Sequence, residues 1–417
     1  MTHASPTPTF KPEQSQFSNP FRPGAGHMPP YMAGRELETN EFRRLLSQST
    51  VLENLVLTGL RGLGKTVLLE TFKPLAIQEG WLWAGTDLSE SASISEEKLA
   101  IRLLTDLSVV TSPIVLTRTE SPKFFRQHAE EIHTNLDFPA LAQMYERTPG
   151  LVADKLKHVL ETVWQVLATL NRKGVIFAYD EAQNLSDHAA KDQFPLSLLL
   201  DVFQSIQRKN IPFMLALTGL PTLFPKLVEA RTFAERMFRV VFLSPLSREE
   251  TKAAIQKPIA SVRWPFGFSD ESVEIIWTMT RGYPYFVQYV CRESFDVWVQ
   301  NVAAGEQPSP IPVDSIIRKL DSDFFAGRWA RATDRQRELL GVIARLEKGD
   351  GEFTVQEIVE ESASAPRPFS SSHVNQMLAA LGSNGLVYKN RHGKYSFAVP
   401  LMGPFILRQL AHAPLSG

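Results

Sequence analysis

The sequence has little cysteine, no excess of charge of either sign, and no long apolar run. Its single cysteine, Cys291, excludes a disulfide within the chain and favours a reducing compartment. With 44 basic and 45 acidic residues, the bulk charge does not indicate a nucleic-acid partner. No apolar run approaches the ~20 residues that cross a membrane, and the N-terminus lacks an apolar signal core. We therefore expect a cytoplasmic protein with no membrane partner.

Residues 59–66 read Gly-Leu-Arg-Gly-Leu-Gly-Lys-Thr and fit the phosphate-loop pattern GxxxxGK[ST]. An apolar strand at 55–58 precedes the pattern and a helix at 67–72 follows it, which is the context that the pattern requires. The glycines let N–H groups approach phosphates, and the helix N-terminus adds the positive end of its dipole. The pattern predicts a nucleoside triphosphate site. The predicted nucleotide-binding residues here are Gly59, Leu60, Arg61, Gly62, Leu63, Gly64, Lys65, Thr66 and Val67.

Hydrolysis needs further groups beside this loop. Lys65 is predicted to reach the β- and γ-phosphates, and the hydroxyl of Thr66 to bind Mg²⁺. Asp180 and Glu181 follow the apolar run at 174–179, as expected at the end of a buried parallel strand. Asp180 would hold Mg²⁺, directly or through water, and Glu181 would polarise the attacking water. The alternative is an ordinary surface pair of carboxylates.

Thr218 ends the next apolar run, at 213–218. We expect its side chain to contact the γ-phosphate or the attacking water, and the alternative is a threonine that only caps the strand.

Strands and helices alternate over residues 31–247, which predicts an α/β fold with a doubly wound parallel sheet. The sequence divides into a flexible leader at 1–30, rich in Pro, Ser, Thr and Gly, this P-loop core at 31–247, a helical lid at 248–304, and a C-terminal domain at 313–412. The end of the leader, at 19–31, is less polar than the rest and could dock on the next domain. Residues 111–150 contain four prolines and show no clear period, and we interpret them as a variable insertion.

The C-terminal domain is predicted to be a winged helix-turn-helix, because three helical patterns precede two alternating strands. Residues 365–417 contain five basic residues and no acidic one, so the rest of the chain carries −6, since −6 plus +5 gives −1. Polar residues start the third helix and cations cluster at the wing, which is compatible with double-stranded DNA. The alternative is a latch or a protein-docking module. The predicted DNA-binding residues are Ser371, Ser372, Asn375, Gln376, Lys389, Arg391 and Lys394.

Five motifs together resemble the AAA+ and STAND-type P-loop ATPases, nearest to the archaeal-ATPase and origin-recognition-complex-like group. They lie at 34–35, 59–66, 180–181, 218–221 and 282–284, and the resemblance covers roughly residues 19–410. It implies that ATP and ADP are the nucleotides, that Mg²⁺ is the metal, and that Gly34, Arg35 and Pro284 line the adenine end of the site. It also implies an arginine that acts on a neighbouring subunit, for which Arg236 is the first candidate and Arg239 the second. The alternative for Arg236 is a surface arginine.

Two functions of different classes follow from this resemblance. The first is a slow, Mg-dependent ATPase that acts as a switch and couples its nucleotide state to DNA, as a homo-oligomer or with a protein partner. The second is a STAND-like signalling or defence regulator whose C-terminal domain contacts protein. A nucleotide-binding scaffold with little turnover is a third reading, which Glu181 disfavours.

Overall fold

The computed structural model describes residues 18–24, 26–120, 130–262, 266–306, 310–346, 351–391 and 393–412. Their backbone forms two compact units. The sheet unit contains the described residues of 36–59 and 65–243, and the helical unit contains those of 1–35, 60–64 and 244–417. Within the described ranges, no helix has both the length and the apolar character that crossing a membrane requires.

The sheet unit is built on a parallel five-stranded sheet with the order β2-β5-β6-β1-β7. β1, β5 and β6 are buried along their whole length, as expected for strands covered on both faces. Because parallel strands run in the same direction, their C-terminal ends lie on one side of the sheet, and the residues that follow β1, β5 and β6 come together there. The strands of this unit are β1 (Asn54–Thr58), β2 (Trp81–Ala84), β3 (Val115–Glu120), β4 (Glu130–Asn135), β5 (Gly174–Tyr179), β6 (Phe213–Gly219) and β7 (Phe238–Phe242).

Helices with an apolar stripe cover the sheet, and their Leu103, Leu160 and Phe203 are fully buried in its core. The helices are α1 (Glu36–Leu46), α2 (Lys65–Gln78), α3 (Glu96–Thr111), α4 (Phe138–Arg147), α5 (Val152–Thr169), α6 (Pro195–Gln207), α7 (Leu223–Ala230) and α8 (Ala234–Met237).

Residues 111–150, which show no clear period in the sequence, are ordered in this unit as far as they are described. β3 and β4 pair antiparallel as a separate hairpin. Asp137 then caps α4 by accepting a hydrogen bond from the N–H of Ala140. Leu141 and Tyr145 on α4 are buried in the core, so part of the predicted insertion covers the sheet unit.

The helical unit begins with three helices and ends with a helix-and-hairpin arrangement. β8 and β9 pair antiparallel, and Phe353 forms a bridge to Tyr395 beside them. The sequence did not predict α17, which packs on α14: a Cβ added to Gly341 would lie 2.9 Å from Leu410 Cδ1. The elements are α9 (Arg248–Ser261), α10 (Asp270–Thr280), α11 (Pro284–Ala303), α12 (Val313–Leu320), a π-helical turn (Asp321–Ala326), α13 (Gly327–Trp329), α14 (Asp334–Arg345), α15 (Val355–Glu361), α16 (Ser371–Ser383), β8 (Val387–Arg391), β9 (Lys394–Phe397) and α17 (Met402–His412).

An aromatic cluster joins the predicted lid to the predicted C-terminal domain within this unit. The ring of Phe286 on α11 lies 5.1 Å from that of Phe324 and 6.1 Å from that of Phe325, both on the π-helical turn. Phe325 lies 5.1 Å from Phe405 on α17. The two segments therefore share one core, and the boundary predicted at 304–313 stays a prediction.

The described end of the predicted leader packs on the helical unit. Phe21 is buried and meets the ring of Phe268 edge-on at 6.0 Å. Asn19 donates a hydrogen bond of 2.7 Å to the carboxylate of Asp296 on α11. Apolar burial and this hydrogen bond hold residues 19–21 on the helical unit, whereas residues 1–17 lie outside the described residues.

Candidate active site

Residues 59–64 turn the chain from β1 into α2. Gly62 and Gly64 have φ values of +82° and +83°, a region in which a residue with a Cβ is strained. Lys65 begins α2, and its Nζ donates a hydrogen bond of 2.9 Å to the carbonyl oxygen of Gly59. The strand, glycine turn and helix N-terminus follow one another as an anion-binding loop requires.

Thr66 and Asp180 meet at the carboxyl edge of the sheet. The Thr66 hydroxyl donates a hydrogen bond to Oδ2 of Asp180, which is 5% exposed. Burial raises the pKa of Asp180, and hydrogen bonds from Thr66 and from the Glu181 N–H oppose this rise, as does the charge of Lys65. A hydroxyl and a carboxylate are both oxygen ligands of the kind that Mg²⁺ prefers. This pair therefore fits the predicted metal site.

Glu181 lies directly after Asp180 in an uncommon backbone conformation. Its φ and ψ are 50° and 33°, in the left-handed region. Its carboxylate accepts a hydrogen bond from Nε2 of Gln183 and is otherwise on the exposed side of the turn. Non-glycine residues in this region carry strain of about 1 kcal/mol or more, and such strain is concentrated at functional sites.

Thr218 stands beside Asp180 on the neighbouring strand. Tyr179 at the end of β5 pairs with Leu217, so Asp180, which follows β5, lies at the same level as Thr218 of β6. The Thr218 side chain is fully buried, and its hydroxyl has no hydrogen-bond partner among the described residues. A buried hydroxyl without a partner costs about 1–3 kcal/mol. A bound phosphate or water is one way to satisfy such a hydroxyl, and the contact of Thr218 with a ligand stays a prediction.

Gly34, Arg35 and Pro284 lie in the helical unit. Arg35 is 6% exposed and donates to the carbonyl oxygens of Gly34, Leu63 and Ser244 at 3.0, 3.2 and 3.0 Å. Arg35 thus fixes the backbone of the phosphate loop, whereas its contact with a nucleotide stays a prediction.

The start of α11 reaches the same loop. Pro284 begins α11, and the N–H of the next residue, Tyr285, donates a hydrogen bond of 3.1 Å to the carbonyl oxygen of Gly62. Gly282, two residues earlier, must be glycine, because a Cβ there would lie 2.0 Å from the carbonyl oxygen of Leu246. The residue that follows the motif at 282–284 therefore contacts the loop through its backbone N–H.

Arg236 lies far from the loop of its own chain. It lies in α8, two residues before the start of β7 at Phe238. Phe238 pairs with Asn54 at the start of β1, whereas the loop follows Thr58 at the end of that strand. Arg236 is therefore at the N-terminal end of the parallel strands, whereas the loop is at their C-terminal end. It lies beside Arg208 and Phe233 in a surface cavity. Arg239, the second candidate, is paired with Glu41 at 2.9 Å. Neither arginine is placed to act on the nucleotide of the same chain.

Four of the predicted DNA-binding residues share one exposed face of α16, and the others belong to β8 and β9. Ser371, Ser372, Asn375 and Gln376 are exposed, and the buried face is formed by Val374, Met377, Leu378 and Leu381. Lys389 on β8 is exposed and Lys394 on β9 is half-buried. The side chain of Arg391 lies outside the described residues.

Sequence reasoning missed several residues around the site. Gln183 and Lys226 contact the turn after Asp180, and Tyr285 contacts Gly62. Arg328 lies near Arg61: burial lowers the pKa of Arg328, and the positive charge of Arg61 adds to this effect. The position of Gln183, two residues after Glu181, was the only signal in the sequence. The other contacts join segments that are distant along the chain.

The parallel five-stranded sheet with its phosphate loop has the fold of the AAA+ P-loop ATPases. A Walker-type ATPase of Pyrococcus abyssi is 16% identical over 90% of this chain and 96% of its own, with a TM-score of 0.55. The ORC2 protein of Aeropyrum pernix in its ADP form is 15% identical over 93% of this chain and 98% of its own, with a TM-score of 0.54. The resemblance to the origin-recognition-complex-like group is thus confirmed for the fold.

Comparison by sequence identifies fewer similar proteins than comparison by structure. Residues 322–406 match a family described as a domain of unknown function (DUF8462). No curated protein matches the sequence.

Proposed function

We propose that the chain binds Mg-ATP and hydrolyses it. The observation that carries this proposal is the arrangement at the carboxyl edge of the sheet, where Lys65 and Thr66 follow β1, Asp180 and Glu181 follow β5, and Thr218 lies near the end of β6. Adenine nucleotide is supported by the similar Aeropyrum pernix protein in its ADP form and by the similar Walker-type ATPase.

Each residue has a chemical role in this proposal. The N–H groups of the loop and the Lys65 ammonium bind the phosphate oxygens. Thr66 and Asp180 would hold Mg²⁺, which neutralises charge on the phosphates when it is bound. Glu181 accepts a hydrogen bond from the attacking water and orients it toward the γ-phosphate. The Thr218 hydroxyl gains a partner in the γ-phosphate or that water.

We further propose that the nucleotide state is coupled to double-stranded DNA through the C-terminal domain, as a winged helix. Two observations support this: the exposed polar face of α16, and the cations of β8 and β9 beside it. Hydroxyl and amide side chains contact phosphates and base edges, while lysine and arginine contact phosphates.

The test is ATP turnover with and without duplex DNA at low and moderate salt. We expect stimulation that declines as salt rises, because each cation that contacts a phosphate contributes about 0.9 to the slope of log affinity against log salt. Replacing Lys389, Arg391 and Lys394 by alanine should remove it, whereas Lys98→Ala on α3 is the matched control. Turnover that never responds to DNA, with no binding in any nucleotide state, would contradict the coupling but not the ATPase.

A second candidate is a nucleotide-dependent latch or protein-docking module. Its support is the aromatic cluster that joins α11 to the C-terminal domain, together with the acidic α15, which precedes α16 and carries Glu357, Glu360 and Glu361. Carboxylates next to the polar face oppose a DNA backbone. Under this candidate, DNA leaves turnover unchanged and a protein partner alters it.

We propose that the active form is a homo-oligomer in which Arg236 serves the site of a neighbour. Support comes from its place at the edge of the sheet opposite its own loop. A fixed cation there would stabilise charge on the transferred phosphoryl group.

Mixing variants tests this role of Arg236. Arg236→Ala and Glu181→Gln should each be slow alone, and their mixture should regain turnover, because an intact Glu181 then meets an intact Arg236. Arg208→Ala, from the same cavity, is the matched control and should stay near wild type. Absence of recovery at every mixing ratio would contradict a role between subunits.

A further inference from the structure

Gln183 occupies a central place in the turn that carries the proposed catalytic base. It lies in the 3₁₀ turn Ala182–Asn184, directly after Glu181. Its Nε2 donates a hydrogen bond to the Glu181 carboxylate. Its Oε1 accepts one of 3.1 Å from the N–H of Leu220, the residue that follows β6. One amide therefore links the end of β5 to the end of β6.

The backbone of Gln183 is held from the same side. The ammonium of Lys226 on α7 donates a hydrogen bond of 2.7 Å to the Gln183 carbonyl oxygen. Burial lowers the pKa of Lys226, and the charges of Asp187 and Glu229 oppose this effect. Both ends of Gln183 are thus fixed by the segment that follows Thr218, so its side chain is not free to leave Glu181 without losing the contact with Leu220.

The sequence of β6 leaves room for this amide. A Cβ on Gly219 would lie 2.6 Å from Oε1 of Gln183 and 2.9 Å from Cδ2 of Leu223. Such contacts are too close for a side chain, so the glycine next to Thr218 creates the space in which Gln183 lies. Gly219 matters here because it has no Cβ, since any larger residue would displace the Gln183 amide.

The backbone of Glu181 is strained and does not by itself fix the direction of the side chain, so a contact from another residue is needed to orient the carboxylate. At φ 50° the residue is in the left-handed region, where a Cβ approaches the carbonyl oxygen. The carbonyl of Glu181 accepts a 2.9 Å hydrogen bond from the Asn184 N–H, which closes the turn. The exposed carboxylate can rotate about its side-chain bonds, and the Gln183 amide restricts that rotation.

We propose that Gln183 is a positioning residue that aims the Glu181 carboxylate at the attacking water and ties its direction to the end of β6, where Thr218 lies. This inference rests on the proposed ATPase function. It means that a displacement of the Thr218–Leu220 segment changes the aim of the base through a single side chain.

The test measures kcat and ATP affinity of the full chain for Gln183→Met, which keeps the length of the side chain but cannot donate. We expect kcat to fall about 10- to 100-fold, because a general base contributes 10²–10⁴-fold and loses part of this when it is misplaced. ATP affinity should remain within about twofold, since the loop and the two predicted metal ligands, Thr66 and Asp180, are untouched.

A second variant, Gly219→Ala, should give the same result by pushing the Gln183 amide away from Glu181. Gln356→Met, which removes a glutamine–glutamate contact on α15, is the matched control and should match wild type.

A double-mutant comparison separates positioning from a structural role. In a Glu181→Gln background, Gln183→Met should cause no further loss of kcat, because there is no base left to aim. Equal losses in both backgrounds, an unchanged kcat in Gln183→Met, or a higher kcat would each overturn the inference while the ATPase function stands. A wild-type chain that binds ATP without turnover would overturn the inference and the proposed hydrolysis together.

Discussion

Replacing Lys65 by alanine is expected to abolish ATP binding at ordinary nucleotide concentrations. The ammonium lies at the start of α2, where it donates a hydrogen bond to the Gly59 carbonyl oxygen, and it is the proposed direct cation on the β- and γ-phosphates. Truncating one member of a desolvated charge pair costs about 2–5 kcal/mol, which is roughly a 30- to 5,000-fold loss of affinity. Titration calorimetry with ATP and Mg²⁺ measures it.

The matched control for this prediction is Lys73→Ala. Lys73 is an exposed lysine on the same helix, so its removal changes the net charge equally without touching the loop. We expect its ATP affinity to stay near wild type. Normal affinity in Lys65→Ala would remove the phosphate loop from the site and with it the proposed function.

Glu181→Gln is expected to retain ATP and lose turnover. The change keeps the shape of the side chain and removes the carboxylate that orients water, so kcat should fall about 10²–10⁴-fold. Binding should persist, because Lys65, Thr66 and Asp180 remain in place. Phosphate release under single-turnover conditions, together with calorimetry, distinguishes the two effects.

Glu70→Gln on α2 is the corresponding control, because this exposed glutamate lies in the same unit and away from the loop. Its turnover should match wild type. If Glu181→Gln hydrolysed ATP at the normal rate, another group would have to be the base, and Gln183 would lose its proposed purpose.

The site could be predicted from the sequence where polar residues lie at or just after the end of a buried strand. Residues 55–58, 174–179 and 213–218 are continuous apolar runs, and the structure places a fully buried strand at each. Because such strands are parallel and end at one edge, Lys65, Asp180 and Thr218 could be placed together without any structure.

Other parts of the fold had no local signal. The strands β3 and β4 pair only with each other, outside the five-stranded sheet. The helix α17 packs on a segment that is distant in the sequence, as Leu410 against Gly341 illustrates. The lower polarity of residues 19–21 suggested that the end of the leader docks, but not on which surface, and the structure has Phe21 buried against Phe268. Composition cannot reveal that partner, because the stabilising surface is supplied by residues some 250 positions away.

What the sequence alone determined was the identity and order of the chemical groups: a phosphate loop between a strand and a helix, two carboxylates after a second strand, and a threonine at the end of a third. Those follow from local periodicity and from residue type. The tertiary structure decided how these groups are held. Arg35 and Tyr285 fix the loop carbonyls, and Gln183 holds Glu181 only because Gly219 leaves space for its amide. Such contacts depend on distances between segments far apart in the chain, and no local pattern encodes those distances.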